Sequence, residues 1–304
     1  MSVAEAEARG VEGLDTAQGG LWRDAWERLR HNRSAVIGFV LIGLFVFVAV
    51  LAPVIAPEDP RAGDLSRLQG SCCPGPSLEH WFGIDQQGRD ELSRIVWGAR
   101  YSLLIGVVSV AVGLSIGLVL GATAGYFGGA IDSVLMRLMD IMLSIPGLLL
   151  AIGIVAMLGP GITQIMVAVG VTQIPIFARL MRGSVLATRE NDYITAARSV
   201  GVSRPSILAA HILPNAISPV IVQATLALAT AIIDVAGLGF LGLGPQDPAT
   251  PEWGTMLTDT TRYLQTAPHL ALIPGIAIVI SVLGFNLVGD GLREALDPKF
   301  RGRG

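Results

Sequence analysis

Few residues in this chain have the types and the spacing that catalysis requires. Gly113, Ser115 and Gly117 match the G-x-S-x-G pattern of hydrolases, in which the serine sits on a strained turn between a strand and a helix. Here the pattern lies within a long apolar run, which predicts an uninterrupted helix through the serine. The four histidines show no spacing typical of metal ligands. We therefore expect no catalytic residue and no metal site, and we predict that the chain is not an enzyme.

Nucleotide chemistry is also not expected within this chain. Its only lysine is Lys299, so the phosphate-binding pattern G-x-x-x-x-G-K-[ST] cannot occur. No directly bound cofactor is expected, and any energy for work must come from another molecule. The formal net charge of −3 argues against a nucleic-acid partner, because phosphate binding needs clustered basic side chains.

The two cysteines, Cys72 and Cys73, are adjacent. Neighbouring cysteines close a strained ring, and two sulfurs without nearby histidines make a poor zinc site. A local loop feature without catalytic meaning is the favoured interpretation. The alternative is a vicinal disulfide on the oxidising side of a membrane.

The composition predicts an all-α integral membrane protein. Hydrophobic residues make up 52% of the 304 residues and charged residues only 15%, which is too apolar for an ordinary water-soluble domain. Six apolar runs of about twenty residues are each long enough to cross roughly 30 Å of hydrocarbon. The predicted transmembrane helices are 35–56, 101–123, 139–158, 162–180, 217–235 and 270–288.

Polar segments separate the predicted spans, and their charges indicate the topology. Six spans place both termini on one side, and the distribution of Lys and Arg puts the tails and residues 190–219 in the cytoplasm. The last five spans, within 101–290, form the predicted core. The remaining segments are a disordered cytoplasmic tail, an interfacial amphipathic helix, two extracytoplasmic loops and a second cytoplasmic tail, at 1–20, 21–34, 57–100, 237–269 and 291–304.

Glycines recur every four residues through the second span, which predicts a groove that lets a neighbouring helix approach closely. Pro146 and Pro175 should bend or locally open the third and fourth spans. Trp253 and Tyr263 are predicted to anchor at the membrane interface. The glycines of the groove are Gly113, Gly117, Gly121, Gly125 and Gly129.

Three polar residues within the spans are candidates for the translocation pathway: Gln223, Asp234 and Asn286. An acid such as Asp234 costs on the order of 3 kcal/mol at mid-bilayer and less near the interface, so it should face protein or water. A snorkelling acid at the helix end is an equal alternative for Asp234. Amides such as Gln223 and Asn286 more often form hydrogen bonds between helices.

The polar stretch from Glu190 to Pro219 has the features of two short helices joined by a sharp turn. Asp192 is a candidate cap for the first helix, and Gly201 stands where a left-handed residue would end it. Ser203 is a candidate cap for the second helix, and Pro214 should end it. Such a segment offers shape and small side chains, which suit docking better than catalysis.

This stretch resembles the cytoplasmic EAA loop of ATP-binding-cassette importer permeases, whose pattern is E-A-A, three residues, Gly, nine residues and I-x-L-P. Here 195–197 read TAA, Gly201 follows, and 211–214 read HILP at the required spacing. Thr195 replaces the glutamate and His211 the isoleucine. These two replacements leave the predicted helix-turn-helix shape intact.

Outside the loop the resemblance narrows to the C-type permease subunits of dipeptide, oligopeptide and nickel transporters. It rests on HWFGIDQQGRDELSRIVWGARYSLLIG, AGYFGGAIDSVLMRLMDIMLSIP, FLGLGPQDPATPEWGTML and FNLVGDGLREALDPKFR. Permeases of this family usually carry an acid directly before A-x-L, where this chain has Val235 and places Asp234 one position earlier.

The resemblance implies a type I importer-like permease core in a bacterial plasma membrane. This chain would form half of a pore with a homologous B-type permease. Two ATPase subunits would hold ATP and Mg²⁺ and dock on the EAA loop, and an extracytoplasmic binding protein would deliver substrate. Dipeptides, longer peptides, nickel complexes and haem remain open as substrates. The implied ATPase-coupling residues are Thr195, Ala196, Ala197, Arg198, Gly201, Ser203, Arg204, His211, Ile212, Leu213 and Pro214.

The alternative function is a secondary transporter driven by an ion gradient. Such a protein would need intramembrane acids as coupling sites, whereas Asp234 is nearly alone. Inverted repeats are not evident in the sequence either.

Overall fold

The fold is described for residues 21–68, 72–258 and 260–296 in a computed structural model. For residues 21–24 only the backbone is described. The predicted tail at 1–20 and the part of the predicted C-terminal tail beyond residue 296 lie outside the described residues.

The described residues form an all-α protein, which confirms the predicted fold class. Short helices in the connections are named below by their residues. The main helices are α1 (Leu21–His31), α2 (Arg33–Val50), α3 (Glu91–Phe127), α4 (Gly129–Leu143), α5 (Gly147–Leu158), α6 (Ile162–Arg189), α7 (Ser218–Leu238) and α8 (His269–Leu296).

Five of these helices, α2, α3, α6, α7 and α8, are long and apolar enough to cross a membrane. The sixth candidate span is the pair α4 and α5, which meet at an angle of 91°. The predicted bend of the third span at Pro146 is therefore confirmed. Pro146 is the N-cap residue of α5 and lacks the backbone donor that would continue α4. Pro175, by contrast, lies within an unbroken α6.

Helices α3 and α6 run parallel and form the most extensive contact of the bundle. At Gly113 and Gly117 a β-carbon would stand 2.5–2.6 Å from side chains of α6, and at Gly121 it would stand 2.2 Å from the carbonyl oxygen of Ala178. At Gly125 it would stand 2.9 Å from the carbonyl oxygen of Arg182. The predicted glycine groove is thus confirmed for four glycines, whereas Gly129 lies beyond the end of α3.

The other spans pack around this pair. Helix α7 packs on α3, α8 on α7, α2 on α8, and α5 on the free side of α6. The largest apolar core lies between α3, α5, α6 and α7. Ala25 and Leu29 of α1 pack against Ala35 at the start of α2 and against Ala295 near the end of α8. Trp26 of α1 is exposed.

An ordered layer covers the end of the bundle opposite residues 190–219. Because α3 and α6 are parallel, the first turns of α3 lie at that end. Asp85 accepts a hydrogen bond of 2.6 Å from Arg89 Nε and lies 3.4 Å from Arg94 Nε, and all three residues are buried. Arg89 also donates to the carbonyl oxygen of Pro248 at 2.8 Å. These bonds join the segment before α3 to the segment between α7 and α8.

One of the two predicted interface anchors in that second segment is buried. Trp253 is fully buried and donates from its indole nitrogen to the carbonyl oxygen of Ile95 at 3.1 Å, so its assignment as an interface anchor was wrong. Glu252 beside it is buried and accepts from the backbone of Gly254 and Thr255. Burial raises the pKa of Glu252, although these hydrogen bonds oppose the shift.

The adjacent cysteines are joined in a disulfide, which was the alternative interpretation. Cys72 and Cys73 pack with Ala267, Leu270 and Tyr263 near the start of α8. The pair therefore belongs to the packing of the layer opposite residues 190–219.

The contact between α3 and α6 gives a direct prediction. Gly121→Ala should destabilise the purified chain by about 1–3 kcal/mol, because the new methyl group overlaps the α6 backbone. Gly183→Ala is the matched control on α6, where a β-carbon meets no atom within 4 Å and the gain in helix propensity is roughly 1 kcal/mol. Thermal unfolding in detergent measures both. Equal midpoints for the two variants would contradict the close packing.

Candidate functional site

Residues 190–219 form a helix-turn-helix at the end of α6, here called the coupling loop. Its first helix is Asp192–Ser199, and its second helix runs through Arg204–Ser206, a wider π turn at Ile207–Ile212, and Leu213–Ala216. Asn191, not Asp192, occupies the N-cap of the first helix. The predicted pair of short helices is present.

Gly201 ends the first helix as the sequence predicts. Its φ is +82°, in the left-handed region, and two backbone bonds close the helix end, from Gly201 N to Arg198 O and from Val202 N to Ala197 O, both 3.1 Å. This pairing is the Schellman motif, in which glycine takes the left-handed position at least cost. The turn between the two helices is therefore set by local sequence.

The second helix does not stop at Pro214, contrary to prediction. The backbone nitrogen of Leu213 bonds to the carbonyl oxygen of Leu208, five residues earlier. This wider turn precedes Pro214, which falls in the first turn of the Leu213–Ala216 segment. Proline is tolerated there because the first turn of a helix needs no donor from it. The helix thus continues to Ala216.

Three isoleucines attach the coupling loop to the bundle. Ile194, Ile207 and Ile212 are fully buried in the same apolar core as Val185 of α6 and Tyr126 of α3. Burial of an isoleucine side chain contributes roughly 1.5–3 kcal/mol relative to leaving it exposed. The inner face of the loop is therefore fixed to the ends of α3 and α6.

The opposite face of the loop is exposed and carries small or basic side chains. Ile212 is the buried member of the predicted coupling set, and Ala197, His211 and Leu213 are half-buried. The exposed members are Thr195, Ala196, Arg198, Gly201, Ser203, Arg204 and Pro214. The structure thus brings the set onto one element, with most of it facing outward.

An open groove beside the loop escaped the sequence reasoning. It encloses about 510 Å³ and contains three arginines, Arg189, Arg198 and Arg204, together with Tyr126 and Phe127 at the end of α3. Arg189 donates to the last carbonyl oxygens of α3, at Gly125 and Tyr126, over 3.3 Å. No local signal joins residues 126–127 to residues 189–207, so only the fold reveals this groove.

Exposed apolar side chains extend the outward face beyond the predicted set. Val200 is 80% exposed, and Tyr193 is also exposed. Ala209 and Ala210 lie on the exposed side of the second helix. An exposed surface of this kind, on a rigidly anchored helix pair, suits contact with another protein.

The candidate pathway residues lie elsewhere in the bundle. Gln223 and Asp234 are both half-buried on α7, and their spacing of eleven residues puts them on one face of that helix. Asn286 is half-buried on α8. Within the part of the chain that the structure describes, no hydrogen bond joins these three side chains. Their role in the pathway stays a prediction.

Among the described residues, no group of three or more His, Cys, Asp or Glu side chains is arranged to hold a metal ion. Ser115 lies inside α3 and donates to the carbonyl oxygen of Ala111 at 2.7 Å. The serine therefore sits within a helix and not on the turn that a nucleophile elbow requires.

Two family models match the chain. Residues 117–302 match the binding-protein-dependent transport system inner membrane component, and residues 20–70 match the N-terminal transmembrane domain of oligopeptide transport permease C.

Curated relatives match nearly the whole chain. The dipeptide transport system permease protein DppC of Alkalihalophilus pseudofirmus is 47% identical over 281 residues, which cover 92% of this chain and 90% of the relative. The glutathione transport system permease protein GsiD of Escherichia coli is 46% identical over 282 residues, covering 92% and 91%.

Solved structures share the fold at lower identity. An inward-facing MetNI methionine ABC transporter chain has a TM-score of 0.55 at 22% identity, over 68% of this chain and 97% of the other. A chain of an amino acid ABC transporter has a TM-score of 0.51 at 17% identity, over 67% and 94%.

The geometry of the turn gives a second prediction. Gly201→Val should weaken the coupling loop, because a branched side chain at φ +82° costs roughly 1–2 kcal/mol. Gly201→Asn is the matched control, since asparagine adopts this conformation more readily. Amide hydrogen exchange of residues 192–213 should be faster in the valine variant than in the asparagine variant. Equal protection in both would show that the turn does not depend on this glycine.

Proposed function

The chain belongs to the binding-protein-dependent transport system inner membrane components, as a C-type permease of a peptide ATP-binding-cassette importer, and from that membership we propose how it works. We propose that it forms half of the translocation pathway and that the coupling loop transmits ATP-driven movement to it. It is a multi-pass protein of the inner membrane. Both termini and the coupling loop face the cytoplasm in this proposal.

The observation that carries the proposal is the two-sided construction of the coupling loop. Its inner face is held by Ile194, Ile207 and Ile212, so a force on the loop reaches α3 and α6 with little slack. Its outer face exposes small side chains such as Ala196 and Ala209, which let another surface approach closely. A loop with this design transmits movement and needs no titratable groups.

The partners follow from the family. A B-type permease completes the pore, an extracytoplasmic binding protein delivers the substrate, and two ATPase subunits supply the energy. Those ATPases bind ATP and Mg²⁺, for which this chain has no lysine-containing phosphate loop. The chain itself performs no chemistry.

Arg198 and Arg204 extend the docking surface electrostatically. Both are exposed at the groove that also contains Arg189. Guanidinium groups pair well with carboxylates in a bidentate geometry. We expect acidic side chains of an ATPase subunit to lie opposite them.

Short peptides are the proposed substrates. The relatives are named for transport of dipeptides and of glutathione, which is itself a short peptide. Gln223, Asp234 and Asn286 offer polar groups along α7 and α8 for such a substrate.

The proposal is tested by reconstituting the chain with its partner permease, ATPases and binding protein. Ala209→Trp should reduce peptide-stimulated ATP hydrolysis by about tenfold or more, because the bulky ring blocks close approach and a loss of ~1.4 kcal/mol already weakens docking tenfold. Ala209→Ser is the matched control and should retain stimulation. Full stimulation in the tryptophan variant, or uptake of peptide by the permeases without any ATPase, would contradict the proposal.

A further inference from the structure

Helix α4 is joined to α3 by two adjacent glycines. Gly128 and Gly129 both have positive φ, +67° and +57°, and a β-carbon at either would meet no atom within 4 Å. Two unpacked glycines in this conformation do not restrict the direction in which the next helix leaves. The angle at which α4 crosses the bundle must therefore be set by contacts further along.

The apolar contact between α4 and α6 is small. Met139 is the buried residue of α4, and it packs against Ile174 and Ala178 of α6. Met136 and Met142 of α4 pack partly buried around it, so the apolar contact is a small cluster centred on Met139. Because this cluster lies in the second half of α4, it holds that half more firmly than the start of the helix.

An ion pair supplies a second attachment point. Asp132 lies seven residues before Met139, about 10 Å along the helix. Its two carboxylate oxygens accept bonds from Arg182 Nε and Nη2 at 2.5 and 2.6 Å. The side chains are 18% and 34% exposed. This bidentate geometry orients both partners, whereas a single contact would not.

Two more arginines on the same side of α6 contact α4 and α3. Arg179 pairs with Asp140 of α4, but both of these side chains are about half exposed. Arg189, seven residues after Arg182, donates to the last carbonyl oxygens of α3. Beyond Arg189 the chain enters the coupling loop directly.

We propose that the Asp132–Arg182 ion pair is a positioning contact that makes α4 move together with α6 and the coupling loop. The inference rests on the proposed coupling function. A shift of the loop then changes the direction of α4 and, with it, the 91° break between α4 and α5. Movement at the membrane surface is in this way passed to the third span.

The first measurement tests the contact itself. Spin labels are attached to cysteines introduced at Ser133 and Gly183, which are exposed on α4 and α6. Asp132→Asn and Arg182→Gln should broaden the distance distribution, since α4 then swings about Met139. The charge exchange Asp132→Arg with Arg182→Asp should narrow it again. An unchanged distribution in both single variants would overturn the proposal.

The second measurement tests transmission in the assembled transporter. The two single variants should lower the ratio of peptide-stimulated to basal ATP hydrolysis by roughly fivefold, the low end of typical coupling energies, and the exchanged pair should recover it. Arg137→Gln, on an exposed arginine of α4, should leave both readouts unchanged.

The two readouts separate the possible failures. Altered distances with an unaltered ratio would overturn the role in transmission while leaving docking of the ATPase intact. A wild-type complex without any peptide stimulation would instead contradict the proposed function, and the distance measurement would still decide whether the ion pair holds α4.

Discussion

The close contact between α3 and α6 is the constraint on which the rest of the structure depends. Four glycines at four-residue spacing let the two backbones touch, so a β-carbon at Gly121 would stand 2.2 Å from a carbonyl oxygen of α6. Two long parallel helices whose backbones are this close are expected to move as one unit. That unit carries the layer with Asp85, Arg89 and Arg94 at one end and the coupling loop at the other. In the proposed function, a displacement at either end reaches the opposite side of the membrane.

The coupling loop and α4 are attached to the bundle with different strengths. The coupling loop is held by buried isoleucines and by a glycine-closed helix end. Helix α4 is held by a small methionine cluster and by ion pairs, and it follows a junction of two glycines. Apolar burial fixes a surface permanently, and an exposed or half-exposed ion pair can open at lower cost. The rigid part is the part proposed to meet the ATPase, and the adjustable part is the one that leads into the broken span. In the proposed function, this combination lets the chain take part in an energy-driven cycle.

Much of this was predictable because it depends on local pattern. Apolar run lengths gave the spans, the four-residue glycine period gave the α3–α6 contact, and Gly201 gave the turn of the coupling loop. The errors arose where tertiary context decided. Trp253 was predicted to anchor at the interface, but it is buried and its indole nitrogen donates to the carbonyl oxygen of Ile95. Pro214 was predicted to end its helix, but a π turn before it lets the helix continue. The arginine groove and the Asp132–Arg182 pair join residues about fifty or more positions apart, which no spacing rule reveals.

The central claim is that the outer face of the coupling loop lies against an ATPase subunit. A photo-cross-linking amino acid at Ala196, which is exposed on the first loop helix, tests this most directly in the assembled transporter. The account predicts a covalent product with an ATPase subunit from Ala196 and none from the same probe at Val119, which is exposed on the membrane-spanning part of α3. A complex that hydrolyses ATP in response to peptide but gives no such product from Ala196 would contradict it.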